Sequence, residues 1–114
     1  MVINGIELDF DLYDVDNAGK RNRYFEELKK MRNIVQDMPK EKGEEQARYI
    51  CRRVKGLFDS VFGAGTGDAV CGEKENLLIC MGAYEELLNE QMRQDAKYKM
   101  IMQGIRRSGK RKRR

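Results

Sequence analysis

The stretch at residues 58–80 constrains the fold more than any other. Phe58, Val61 and Phe62 complete an apolar helical face, Gly63, Gly65 and Gly67 interrupt it, and Leu77, Leu78, Ile79 and Cys80 open a second apolar run. Apolar residues at three- and four-residue steps specify a helix buried along one side. Closely spaced glycines end such a helix and allow a tight reversal. The segment therefore predicts two helices that meet across a short glycine loop.

Upstream, Ala47, Ile50, Cys51, Val54 and Leu57 extend the first of these faces, which predicts a central helix over 42–62. Tyr24, Phe25, Leu28, Met31, Val35 and Met38 mark an earlier amphipathic helix over about 18–37, stopped by Pro39. The N-terminus reads differently. Asn4-Gly5 supplies the positive φ angles of a two-residue hairpin turn. Ile6, Leu8, Phe10 and Leu12 then alternate with Glu7, Asp9, Asp11 and Tyr13, the period of a half-buried strand. Downstream, Asp68 to Cys71 predicts one helical turn capped by Gly72. A last long helix starts near Lys74, with Leu77, Leu78, Met81, Tyr84, Leu87, Leu88 and Met92 on its face, and weakens towards Ile105 through Tyr98 and Met102. The expected fold is α+β and mostly α. It has a short N-terminal β-hairpin and three main helices in one domain over 1–105, then a disordered basic C-terminal tail over 106–114.

Charge is divided along the chain. Residues 93–114 carry ten Lys/Arg and one acid, a net +9, whereas residues 1–92 carry 13 Lys/Arg and 18 Asp/Glu, a net −5. Histidine is absent, which removes the commonest general base, the Ser-His and Cys-His nucleophile pairs, and a common zinc ligand. Cys51, Cys71 and Cys80 are odd in number and widely spaced, so they read as reduced thiols and not as a disulfide framework. No apolar run approaches the ~18 residues that span a bilayer, and no signal-peptide pattern opens the chain, so a cytoplasmic protein without membrane contact is expected.

Four motif look-alikes fail on chemistry. Asp14-Val-Asp16-Asn17-Ala18-Gly19 begins like a calcium loop, but Ala18 and Phe25 stand where oxygen ligands are required. Glu7, Asp9 and Asp11 lie roughly 6–7 Å apart along one strand face, the spacing of a solvated surface. Gly63-Ala-Gly65-Thr66-Gly67 follows a helix where a dinucleotide loop follows a strand. Gly104 to Lys110 matches the start of a phosphate loop, but Arg111 occupies the place of the magnesium-binding hydroxyl. No catalytic residue, no metal ligand and no cofactor is assigned, and no enzymatic activity is expected.

Ile3-Asn4-Gly5-Ile6-Glu7-Leu8-Asp9-Phe10, Phe58-x-x-Val61-Phe62-Gly63-x-Gly65-Thr66 and Gly72-x-x-x-Asn76-Leu77 together resemble the small tail-assembly chaperones of phages and prophages of Gram-positive bacteria. The resemblance covers residues 1–90, and the basic end lies outside it. It implies a non-catalytic protein of the bacterial cytoplasm that masks apolar helical segments of the tape-measure protein before the tail tube polymerises. In some tail systems a frameshift extends such a chaperone with a domain that recruits the tube subunit.

Apolar excess on the last two helices nominates Phe58, Phe62, Tyr84 and Leu88 as a partner-binding groove. Self-association is a further expectation. Met81 and Met92 read as core filling, Met100 and Met102 as exposed or in partner contact. A second reading rests on Arg106, Arg107, Lys110, Arg111, Lys112, Arg113 and Arg114, which form a polyanion-binding segment able to hold nucleic acid without reading its sequence. No aromatic residue lies in 99–114, so base stacking does not contribute there. A third is a structural phage head or tail component, retained in the particle.

Overall fold

A computed structural model describes the backbone of residues 1–41 and 43–112, with side chains as far as residue 109 in the last helix. Strands β1 (Val2–Ile3) and β2 (Ile6–Glu7) pair antiparallel, with Val2 opposite Glu7 and Ile3 opposite Ile6. The turn between them holds Asn4 at φ 49° and Gly5 at φ 82°, the two positive angles that the Asn-Gly pair predicts. Two strands of two residues are too small to stand alone. Ile3 is therefore buried in the core, and Asn4 Nδ2 donates to the Val70 carbonyl at 2.8 Å.

Beyond Glu7 the chain stays extended but leaves the sheet. Leu8, Phe10 and Leu12 are buried while Asp9 and Asp11 are exposed, so the predicted alternation holds without a strand beside it. The missing ladder is supplied by one side chain. Gln94 Nε2 donates to the Phe10 carbonyl at 2.6 Å, and the Leu12 N–H donates to Gln94 Oε1 at 2.9 Å. The side-chain amide thus stands in for one residue of a neighbouring strand and satisfies backbone groups that would otherwise lose their partners on burial.

A 3-10 turn (Val15–Asn17), capped by the Asp14 carboxylate accepting from Asp16 N, leads into α1 (Ala18–Arg32). The sequence predicts a continuous helix to residue 37. The structure breaks it at Asn33 (φ −99°, ψ 13°), and α2 (Ile34–Asp37) follows in a new phase that leaves Val35 exposed. Helix α3 (Glu44–Phe62) is the central element, packing against α1, α4 (Thr66–Cys71) and α5 (Leu77–Lys112). Its predicted stripe is the core: Cys51, Val54, Leu57, Phe58 and Val61 are all buried. Asn76 caps α5, its Oδ1 accepting from Ile79 N at 3.2 Å, two residues after the predicted start.

Helix α5 differs from expectation in phase. Its core-facing residues are Cys80, Ala83 and Leu87, with Tyr84 and Leu88 half-buried, whereas Leu78, Met81 and Met92 face outward. Met81 and Met92 therefore do not fill the core. Polar contacts that a hydrophobicity pattern does not register fix this phase. Tyr24 is fully buried and donates from its hydroxyl to Gln91 Oε1 at 2.6 Å, and Gln94 binds the extended segment. The backbone of α5 is helical through Lys112, because Lys and Arg are good helix formers and cations favour a helix C-terminus.

All three cysteines are free and buried. Burial pushes the Cys51 thiol from 9.0 up to about 11 and raises Cys71 and Cys80 as well. Unfolded thiols ionise at their ordinary value and folded ones later. This stabilising contribution is therefore complete below pH 9.0 and fades as pH rises through about 11 for Cys51. The urea midpoint should be flat from neutral pH up to that window and fall within it. Native protein should be nearly inert to a thiol-specific disulfide reagent at neutral pH until unfolded. Equal reaction rates for folded and unfolded chains would contradict the buried placement.

Candidate partner-binding surface

The core-facing stripe of α5 advances by alternating three- and four-residue steps: Cys80, Tyr84, Leu87, Gln91 and Gln94. These steps keep side chains on one face of a helix. The same register continues to Tyr98, Ile101, Met102 and Ile105. The first part of the stripe is covered by α1, α3 and the extended segment. Beyond Tyr98 the second part is not, because the body ends first. With 36 residues α5 is about 54 Å long at 1.5 Å per residue, and it sets the 65 Å long axis of the protein.

The last hold of the body on the helix is at Tyr13. Its ring stacks on Tyr98 with centroids 4.9 Å apart and planes 15° apart, and its hydroxyl donates to Asp95 Oδ1 at 2.5 Å. That hydrogen bond, with burial adding to it, raises the Tyr13 phenol above its ordinary value. The Arg21 guanidinium lies 5.3 Å from the Tyr13 ring centroid and braces its position. Past this point Ile101 is 53% exposed and Ile105 59% exposed, while Met102 is half-buried. A cleft of about 560 Å³ opens where α5 leaves the body, lined by Phe10, Tyr98 and Ile101 and by charges of both signs, Glu7, Asp9 and Asp11 with Arg93 and Lys97. A second face of α5 exposes Leu78, Met81 and Met92, but Glu85 and Asn89 interrupt it.

The residues nominated from the sequence fall elsewhere. Phe58 is fully buried, its ring 6.0 Å from that of Phe62, so it forms part of the core and lines no accessible groove. Phe62 is half-buried between the Phe10 ring and the Lys20 ammonium, 5.7 and 5.4 Å from its centroid. Tyr84 and Leu88 are half-buried against the core. The apolar strength of α3 reflects its central position. Arg106 and Arg107 are exposed on α5. The side chains of Lys110, Arg111 and Lys112, and all of Arg113 and Arg114, lie outside the described residues. Sequence reasoning carried the helix face towards Ile105 through Tyr98 and Met102 but did not nominate Tyr98, Ile101 and Ile105 as a binding surface. Its signal was the unbroken three-and-four spacing beyond Gln94, which weakens only because both glutamines replace apolar residues in it.

Among the described residues, no cluster of three or more His, Cys, Asp or Glu is placed to hold a metal ion. No helix among them is long and apolar enough to cross a membrane.

A family model described as a family of unknown function (DUF6673) matches residues 4–114. The chain belongs to this family. The match runs through the basic end, so residues 91–114 are part of the family's pattern and not an appendage peculiar to this chain. No curated protein and no solved structure matches the chain.

Proposed function

We propose that this protein is a non-catalytic phage tail-assembly chaperone that masks apolar helical segments of the tape-measure protein in the bacterial cytoplasm. The observation that supports this reading best is the apolar stripe of α5 left uncovered at Ile101 and Ile105, beyond the Tyr13–Tyr98 stack. An exposed apolar patch beside a cleft is an interaction surface in many proteins, and a stripe at helical spacing suits a second amphipathic helix. The stripe is two helical turns long, so each copy binds weakly. Weak binding by many copies suits a chaperone that tube subunits must displace. The N-terminal hairpin and the glycine loop carry the resemblance to tail-assembly chaperones.

A second reading has its own observation. Arg106 and Arg107 are exposed on a helix, and among the described residues neither forms an ion pair. A basic helix end of this kind binds nucleic acid through its phosphates, with steep salt dependence.

Co-expression with a phage tape-measure protein separates the two readings. For a chaperone, a soluble complex is recovered at low and high salt, survives removal of residues 106–114, and is lost on Ile101→Glu. For the second reading, nucleic acid co-purifies at low salt and is lost on the same truncation. Recovery of the protein from mature particles would instead mark a structural component.

A further inference from the structure

We infer that the open stripe of α5 selects its partner by charge as well as by apolar pattern, and that its occupant is an amphipathic helix whose flanking positions are acidic. The inference rests on the masking function proposed above and specifies the chemistry of the masked segment.

Tyr98, Ile101, Met102 and Ile105 occupy a narrow arc of the helix. On either side of that arc stand basic residues: Lys97 on one flank, Lys99 and Arg106 on the other. All three are exposed, and among the described residues none forms an ion pair. The two acids of α5 that precede the stripe, Glu90 and Asp95, are already committed. Asp95 accepts from Tyr13, and Glu90 is held by Arg93 through two contacts of 2.7 and 2.8 Å, which lowers its pKa. A helix laid along residues 98–105 therefore meets unpaired cations on both edges, the arrangement that sets partner choice in coiled coils.

The same charges argue against a second copy of α5 as the occupant. Two such helices side by side, in either direction, would bring the flanking cations of one copy against those of the other. Like charges facing each other across an interface act against association. Glu7, Asp9 and Asp11 line the cleft at the inner end of the stripe together with Lys97, so the partner's acids belong over its outer turn, opposite Lys99 and Arg106.

The test uses the full chain and three fluorescently labelled helical peptides that share one apolar three-and-four pattern and differ only at the flanking positions, which are Glu, Gln or Lys. Binding is read by fluorescence anisotropy at low and physiological salt. The Glu peptide should bind about tenfold more tightly than the Gln peptide, since the exposed ion pairs at Lys99 and Arg106 each contribute a little, and the Lys peptide more weakly than either. The Glu preference should shrink with salt. Ile101→Glu should abolish binding, and the triple variant Lys97→Glu, Lys99→Glu, Arg106→Glu should reverse the order of the Glu and Lys peptides. Equal binding of all three peptides would overturn the charge selection while leaving helix masking intact. No binding of any peptide by a chain that still recovers a tape-measure protein on co-expression would place the masking surface elsewhere. A dimer in solution that Ile101→Glu dissociates would make a second copy the occupant and overturn the inference.

Discussion

Replacing Phe58 with alanine should lower stability by about 3–5 kcal/mol, the usual range for emptying a buried phenylalanine site. The ring is fully buried on the central helix, in one cluster with Tyr24, Leu57 and Leu87. Two costs combine there: the lost transfer of the ring out of water, and a cavity that the surrounding helices fill only in part. For a domain whose total stability is about 5–15 kcal/mol, this is about a fifth or more of the whole. Urea denaturation monitored by circular dichroism measures it directly. Ile101→Glu, on the exposed stretch of α5, should change stability by no more than about 0.5 kcal/mol, as surface substitutions do. The two variants separate folding from binding. A Phe58→Ala protein with wild-type stability would show that the ring is not part of the core, and would restore it as a candidate contact.

That contrast also locates what the sequence made legible. The hairpin could be read because its determinant is local: Asn4 and Gly5 supply both turn angles without help from elsewhere. The face of α3 could be read because burial there is wide and repeats without interruption. Asn33 is different. Nothing in the pattern of Tyr24, Leu28, Met31 and Val35 announces a break, because the cause is a single residue leaving helical geometry and resetting the phase. The orientation of α5 was hidden for a related reason. Leu78, Met81 and Met92 are more apolar than Cys80, Ala83, Gln91 and Gln94, yet the second set faces the body. Hydrogen bonds from Tyr24 and to the backbone of Phe10 and Leu12 decide the matter. Those partners lie more than 60 residues away in sequence, where no local window reaches them. The candidate surface inherits this difficulty. Its four residues become recognisable as one stripe only once the phase of the buried half is known.

Gly67→Ala should be the most damaging small substitution in the chain. A Cβ built at Gly67 falls 2.5 Å from the Lys55 carbonyl oxygen and 2.7 Å from the Lys55 Cα. Both are backbone atoms in the middle of α3, and neither can move without displacing the central helix. Relief by sliding α4 is also resisted. The Gly67 N–H donates to Asp59 Oδ1 at 2.7 Å, and Lys55 Nζ lies 3.1 Å from Asp68 Oδ1, so α4 is tied to α3 on both sides of the contact. Overpacking of this kind costs about 2–3 kcal/mol, a fall of about 10–20 °C in Tm for a domain of this size. Gly82→Ala supplies the opposite sign. Gly82 lies in the interior of α5, and nothing approaches its Cβ position within 4 Å. The added methyl there should stabilise the helix by about 0.8–1 kcal/mol. Thermal melts of the two variants beside wild type make the comparison. A Gly67→Ala melt that matches wild type would mean that α4 does not lie against Lys55 in solution. A result of that kind would reach beyond one contact, because the glycine loop at 63–67 is what sends the chain back from α3 towards α5, and the placement of α5 on the body determines which of its residues remain open to a partner.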